Sequence, residues 1–198
     1  MPFYFVFLTA AYVLSQFFRS FLPVLTVALE RDIGATPSDL SAAAGTWFLI
    51  FALAQVPVGS ALDRVGPRRT ASILLAFGGG GGALLFAVAQ APWHITVAMG
   101  LIGIGCSPVL MSAYFILARA YPAARFATLA ALILAVGQSG NLAGSLPLAL
   151  LIEWVGWRAA MLGMAALSLF RPRRRSRARR WRACGRCCAS GRSGRSMC

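Results

Sequence analysis

Long apolar runs alternate with short polar segments along the first 170 residues of this chain. The apolar runs lie at residues 3–29, 40–60, 70–89, 95–118, 127–152 and 159–170. A helix that crosses a lipid bilayer needs about 20 consecutive, mostly apolar residues. The first five runs therefore predict complete transmembrane helices, whereas the last is too short and predicts an incomplete sixth helix. Residues 1–170 are predicted to form an all-α polytopic transmembrane helical bundle.

The composition favours a membrane protein and excludes an ordinary soluble domain. Hydrophobic residues make up 59% of the 198 residues and charged residues 12%, against about 45–50% and about 25% in soluble domains. Within the bundle, Pro23 predicts a kink in the first helix, because proline has no backbone N–H to donate. Five consecutive glycines, Gly78 to Gly82, fall in the third helix, where small residues let two helix backbones approach closely.

Most of the formal net charge of +14 lies at the end of the chain. Residues 1–170 carry eight Arg and five acidic residues, whereas residues 171–198 carry eleven Arg and no acidic residue. The bundle is therefore too weakly basic to indicate nucleic-acid binding. Four of the five cysteines also lie in this tail. Because every basic residue is Arg, the coding DNA is inferred to be GC-rich, and the tail is interpreted as disordered or out of frame. A genuine basic cytoplasmic linker and a segment that binds anionic lipid are the alternatives.

A short charged segment, Gly59 to Arg69, joins the second and third apolar runs. It carries three arginines, and arginine-rich short loops are retained on the cytoplasmic side of a membrane. A second basic segment, from Arg119 to Arg125, joins the fourth and fifth runs. Both segments fall on one side of the bundle if the runs alternate in direction. The chain is therefore predicted to be a multi-pass protein of the cell inner membrane, with its N-terminus and its tail in the cytoplasm.

The first charged segment resembles a loop of the major facilitator superfamily, whose pattern between its second and third spans is roughly G-x-x-x-D-R-x-G-R-R. The matching residues are Gly59, Asp63, Arg64, Gly66, Arg68 and Arg69, with Pro67 inserted before the last two. Two further stretches resemble the family. Ala118 to Arg125 is similar to the loop after its fourth span, and Gly156-Trp157-Arg158 is similar to the opening of its sixth.

The resemblance covers roughly residues 4–165, which is the N-terminal six-helix half of that fold. It implies a secondary transporter that moves a small solute by alternating access, in which two halves rock about a central cavity. The chain is then expected to be a truncated half that needs a C-terminal half or a second copy to complete it. A proton is an expected coupling ion, although Met99 stands where many relatives place an arginine near the glycine pair of the fourth span.

Two sets of residues are candidates for the transport mechanism. The charged loop at residues 59–69 is expected to act as a conformational latch; the alternative is that it only anchors the topology. Arg19 is the main candidate for contact with an anionic group of the solute, because a charge inside a span must face a cavity or a partner. Snorkelling of Arg19 to the headgroups is the alternative. Further cavity candidates are Ser15, Gln16, Gln55, Gln138 and Asn141, for several of which hydrogen bonding between helices is as good an explanation.

The sequence gives little support for metal binding, nucleotide binding or enzymatic activity. The segment Cys184-Gly-Arg-Cys187-Cys188 lacks a partner pair or a histidine at metal spacing, so no metal site is predicted. The glycine run is not followed by the lysine of a phosphate-binding loop. No cofactor and no enzymatic activity are expected. The alternative to transport is a small membrane interaction or scaffold protein whose basic tail binds anionic lipid or a partner.

Overall fold

The computed structural model describes residues 2–169, and within this range every regular element is helical. The elements are α1 (Pro2–Ser20), α2 (Leu22–Ile33), α3 (Pro37–Arg64), α4 (Pro67–Leu74), a π-helical segment (Leu75–Gly80), α5 (Gly81–Ala87), α6 (Pro92–Ala120), α7 (Ala123–Ala143), α8 (Leu146–Val155) and α9 (Trp157–Leu169). The predicted tail at 171–198 lies outside the described residues. The prediction of an all-α polytopic bundle is confirmed.

Several of these helices are long and apolar enough to cross a membrane. Four do so as single units, at Pro37–Arg64, Pro67–Ala87, Pro92–Arg119 and Arg125–Val155. A fifth span forms if Thr9–Ser20 and Leu22–Ile33 are counted together across their bend of 47°. The helix Trp157–Leu169 is apolar but shorter than the others. We call the end of the bundle where α2 stops and α9 starts the Asp32 end, and the opposite end the Arg64 end.

The bend in the first span follows directly from the position of a proline. Pro23 occupies the first turn of α2, after Phe21 at the helix boundary. Proline suits the start of a helix, because its missing N–H would have no partner there in any case. The helix therefore restarts at Leu22 in a new direction instead of continuing from Ser20, and the predicted kink is confirmed.

The third span contains the glycine run and is not uniformly α-helical. Leu75–Gly80 form a wide π-helical turn between α4 and α5, a feature that often marks functional or strained segments. A Cβ on Gly78 would lie 2.5 Å from the backbone nitrogen of Gly105 on α6. A Cβ on Gly82 would lie 2.6 Å from the side chain of Ile102. The predicted close approach of helix backbones at this run is confirmed.

Glycines set the distance between helices at two other interfaces as well. A Cβ on Gly103 of α6 would lie 2.8 Å from the backbone oxygen of Trp47 on α3. On α7, Gly137 packs against the ring of Tyr12, and Gly140 against the carbonyl oxygen of Val13. Because the membrane supplies little hydrophobic drive between helices, such close van der Waals packing is what holds the bundle together.

Aromatic side chains fill the centre of the bundle towards the Asp32 end. Phe21 and Phe86 are fully buried, and their rings meet edge to face with centroids 5.2 Å apart. Phe86 meets Trp157 of α9 in the same way at 6.0 Å. Edge-to-face pairs contribute beyond their buried area, so this row ties the bend of the first span to α5 and α9.

Candidate functional site

The break in the first span determines where Arg19 lies. Arg19 is in the last turn of α1, two residues before the boundary at Phe21, and near the middle of the bent 2–33 span. The last carbonyl groups of a helix have no partner within it and favour a nearby cation. The break therefore provides a location midway along the first span at which the guanidinium of Arg19, an exposed residue, is electrostatically acceptable.

The guanidinium of Arg19 is held by aromatic rings of α3. Its central carbon lies 5.2 Å from the ring centroid of Phe48 and 5.9 Å from that of Trp47. Such cation–π contacts contribute about 0.5–1 kcal/mol at exposed sites and more where water is excluded. Among the described residues no carboxylate forms an ion pair with Arg19. The Arg19 charge is therefore positioned by aromatic faces and is not neutralised by an acidic residue of residues 2–169.

A cavity of about 410 Å³ opens beside this arginine. Its lining residues are Arg19, Leu22, Pro23, Thr26, Pro37, Leu40, Ser41, Ala44, Trp47, Phe48 and Met99. It thus lies between the bend of the first span, α3 and α6, and its walls are mostly apolar. The volume falls in the range of about 300–1,000 Å³ that is usual for small-molecule sites. We call it the Arg19 cavity.

The structure does not bring the other predicted residues of α1 into the Arg19 cavity. Gln16 is buried, and its Nε2 donates to the hydroxyl of Tyr12 over 2.6 Å. Ser15 is half-buried near the buried thiol of Cys106 on α6. Neither side chain lines the Arg19 cavity, although both lie within one turn of Arg19.

The remaining predicted cavity residues lie elsewhere on the bundle. Gln55 is half-buried on α3, two turns beyond Trp47. On α7, Asn141 Nδ2 donates to Gln138 Oε1 over 2.6 Å. The backbone oxygen of Asn141 accepts a bond of 3.4 Å from Ser20 Oγ. Neither Gln138 nor Asn141 lines the Arg19 cavity, but Ser20 connects the end of α7 to the break that follows Arg19.

The predicted latch loop is a tighter turn than the sequence motif suggests. Gly59 and Asp63 belong to the last turns of α3, and the chain reverses at Gly66, whose φ of +94° favours glycine. The buried hydroxyl of Thr70 lies 3.0 Å from the Gly66 oxygen and 3.3 Å from the Ala61 oxygen. Asp63, Arg64, Arg68 and Arg69 are exposed around this turn. A set of charged side chains is thus presented at the Arg64 end.

A polar cluster at the Asp32 end joins Trp157 and Arg158 of the Gly-Trp-Arg motif to Asp32, a partner that the sequence alone does not reveal. The indole nitrogen of Trp157 donates to Asp32 Oδ2 over 2.7 Å. Arg158 lies 3.7 Å from the same carboxylate oxygen and also donates to the backbone oxygen of Ala89 over 3.2 Å. This cluster links the end of α2, the end of the third span and the start of α9. Trp47 and Phe48 likewise give no signal in the sequence, because α3 is apolar around most of its circumference.

The described part of the chain holds no group of three or more His, Cys, Asp or Glu residues placed to bind a metal ion. What it does hold is a bundle of membrane-spanning helices with one broken span and a cavity beside the break. This architecture defines a polytopic helical membrane protein. The model of the Major Facilitator Superfamily matches residues 8–170, and the chain belongs to that family. Its members are transporters and not enzymes. No curated protein was found to match the sequence.

Proposed function

We propose that this chain moves a small anionic solute across the membrane by alternating access, with Arg19 at the anionic group of the solute. The observation that carries the proposal is the position of Arg19: it lies mid-span, beside a cavity, over the rings of Trp47 and Phe48. A charge at this depth costs several kcal/mol unless it faces a cavity or a partner. An anionic solute entering the cavity would supply that partner.

Uptake by the full chain in liposomes tests this proposal. Radiolabelled 3-phenylpropionate and inorganic phosphate serve as anions, and Arg19→Lys and Arg19→Gln are compared with the unaltered chain. Loss of the guanidinium should lower anion uptake at least about tenfold, since hydrogen bonds to charged groups contribute about 1.5–3 kcal/mol. Arg31→Gln is the control, because Arg31 is exposed on α2 and does not line the cavity. Unchanged uptake in both Arg19 variants would overturn the proposal.

A second six-helix half, from another segment or a second copy of this chain, is proposed to complete the cavity. The apolar side chains of Leu53 and Val56 on α3, and of Leu142 and Leu146 on the fifth span, are mostly exposed. Such faces suit packing against a second half as well as lipid. Cysteine cross-linking at Val56 in membranes distinguishes the two, because only a protein neighbour yields a covalent dimer or heterodimer.

The exposed charges around Gly66 are proposed to act as a latch in the transport cycle. Asp63 lies at the end of α3 beside Arg64, and Arg69 follows the turn. A carboxylate in this position can accept hydrogen bonds from arginine side chains or from the N-terminus of a neighbouring helix.

The basic turns at 64–69 and 119–125 support an orientation in the inner membrane with the Arg64 end on the cytoplasmic side. Labelling of single cysteines from outside the cell tests that orientation, and an imposed pH gradient tests a proton as coupling ion.

A further inference from the structure

The two ends of the Arg19 cavity differ in what they offer a ligand. At one end, Arg19 is the only charged residue among the described residues that line the cavity, and a guanidinium can only donate hydrogen bonds. Beside it, the ring of Trp47 also lines the cavity, with its centroid 5.9 Å from the central carbon of the guanidinium. This end therefore favours a ligand group that carries negative charge and accepts several hydrogen bonds.

The other end of the cavity offers acceptors. The hydroxyl of Thr26 donates to the backbone oxygen of Pro23 over 2.9 Å. The hydroxyl of Ser41 donates to the backbone oxygen of Pro37 over 2.8 Å. A hydroxyl has one proton to donate and two lone pairs, so both side chains can only accept from a ligand. This end therefore favours a ligand group that donates a hydrogen bond.

The spacing of the two ends follows from the geometry of α3. Trp47 and Ser41 both line the cavity and lie six residues apart on that helix, which corresponds to about 9 Å along its axis. Ala44 lies between them on α3, and Leu40, Met99 and Leu22 from the facing helix add further apolar side chains to the wall. An apolar ligand body gains from packing against this wall, whereas an inorganic ion has no apolar surface to bury there.

We propose, on the basis of the anion transport proposed above, that the substrate is an amphipathic organic anion. Its carboxylate binds Arg19 beside Trp47, its apolar body packs along Leu40 and Ala44, and a hydroxyl or amino group at its far end donates to Thr26 or Ser41. The cavity thus discriminates by three features of one molecule: a negative head, an apolar body and a distal donor.

Calorimetric titration of the full chain in lipid nanodiscs tests these features separately. The probes are 3-(4-hydroxyphenyl)propionate, which has all three features, and 3-phenylpropionate, which lacks the distal donor. The methyl ester of the first compound lacks the charge, and inorganic phosphate lacks the body. We expect removal of the donor to weaken binding about fivefold, the scale of one neutral hydrogen bond. Removal of the charge or of the body should weaken binding at least about tenfold.

Variants assign each feature to its residues. In Ser41→Ala combined with Thr26→Val, the affinity for 3-(4-hydroxyphenyl)propionate should fall to that for 3-phenylpropionate measured in the same variant. Ser139→Ala is the matched control for the loss of a hydroxyl, because Ser139 on α7 donates to Val136 in the same way but lies outside the cavity. Ala44→Phe should block both carboxylates by filling the cavity while leaving Arg19 intact. Ala52→Phe places the same side chain on an exposed position of α3.

The outcomes separate this inference from the proposed function. Phosphate binding as tight as that of the two carboxylates, or binding of neither carboxylate, overturns the substrate class. So does a hydroxyl effect that persists in the Ser41 and Thr26 variant. In each of those cases anion transport still stands if Arg19→Gln lowers uptake in liposomes. Unchanged uptake in both Arg19 variants, by contrast, removes the proposed function and this inference together.

Discussion

The indole nitrogen of Trp157 donates a hydrogen bond of 2.7 Å to the carboxylate of Asp32, a residue 125 positions earlier in the chain. Through this bond and the neighbouring Arg158, the end of the first span, the end of the third span and the start of α9 are joined at one end of the bundle. Apolar packing of Phe86 against Trp157 also joins the third span to α9. The polar cluster therefore fixes their relative position.

Replacing Asp32 with Ala should destabilise the protein modestly. The variant loses the acceptor for Trp157 and the ion-pair partner of Arg158. The side chains of Arg158 and Asp32 are 49% and 45% exposed. Exposed ion pairs contribute about 0–1 kcal/mol, so a loss of about 1 kcal/mol is expected for the cluster as a whole. Thermal unfolding of the purified full chain measures it. Asp32→Asn, which keeps an acceptor, should lose less, and a larger loss for Asn than for Ala would contradict the assignment.

Replacing Gly105 with Ala should destabilise the protein strongly. A Cβ at this position would overlap the backbone of Gly78 and Gly79, and a rigid backbone cannot give way as a flexible side chain can. Overpacking of this kind typically costs about 1–3 kcal/mol. Gly45→Ala is the matched control, because nothing lies within 4 Å of a Cβ there. That control should gain stability, since alanine is the better helix former by about 1 kcal/mol. Equal melting of the two variants would rule out close packing at Gly105.

Replacing Gln16 with Leu distinguishes a structural role from a role in the cavity. The buried Nε2 of Gln16 donates to the hydroxyl of Tyr12, so the variant leaves that hydroxyl without its partner. A loss of about 1–2 kcal/mol in stability is expected. Anion affinity should stay unchanged, because Gln16 does not line the Arg19 cavity. Gln138→Leu, at an exposed position of α7, controls for the loss of an amide. Weaker anion binding with normal stability in Gln16→Leu would contradict the structural role and indicate that Gln16 contributes to ligand binding.

Replacing Asp63 with Asn should slow transport without preventing insertion. The side chain is exposed at the Arg64 end, so the change should leave the folded bundle intact while removing the charge that the proposed latch requires. Initial rates of uptake in liposomes, together with the amount of protein in the membrane, measure the two effects. Ser60→Ala, an exposed neighbour on α3, is the control. Normal initial rates of uptake in Asp63→Asn would contradict the latch and leave the loop at residues 59–69 with the role of a topology anchor only.

The features that the sequence predicts well are those encoded by local residues. The apolar runs predict the helical bundle, Pro23 predicts the bend, and the glycine run predicts a close helix contact. Each of these features depends on residues that are neighbours in the sequence. Contacts across the bundle are different. The rings of Trp47 and Phe48 face Arg19 because of how α3 is rotated about its axis, and a span that is apolar around most of its circumference does not encode that rotation. The bond between Asp32 and Trp157 likewise depends on the assembled fold.

The wide turn at Leu75–Gly80 gives the glycine run a second requirement besides small size. Residues of a helix are set about 100° apart around the axis, so the loss or gain of one residue in this turn would rotate everything that follows it. Gly82 would then no longer face Ile102, and Phe86 would leave the ring of Phe21. The number of residues in this segment is thus constrained as well as the small size of Gly78 and Gly82, where a Cβ would meet α6.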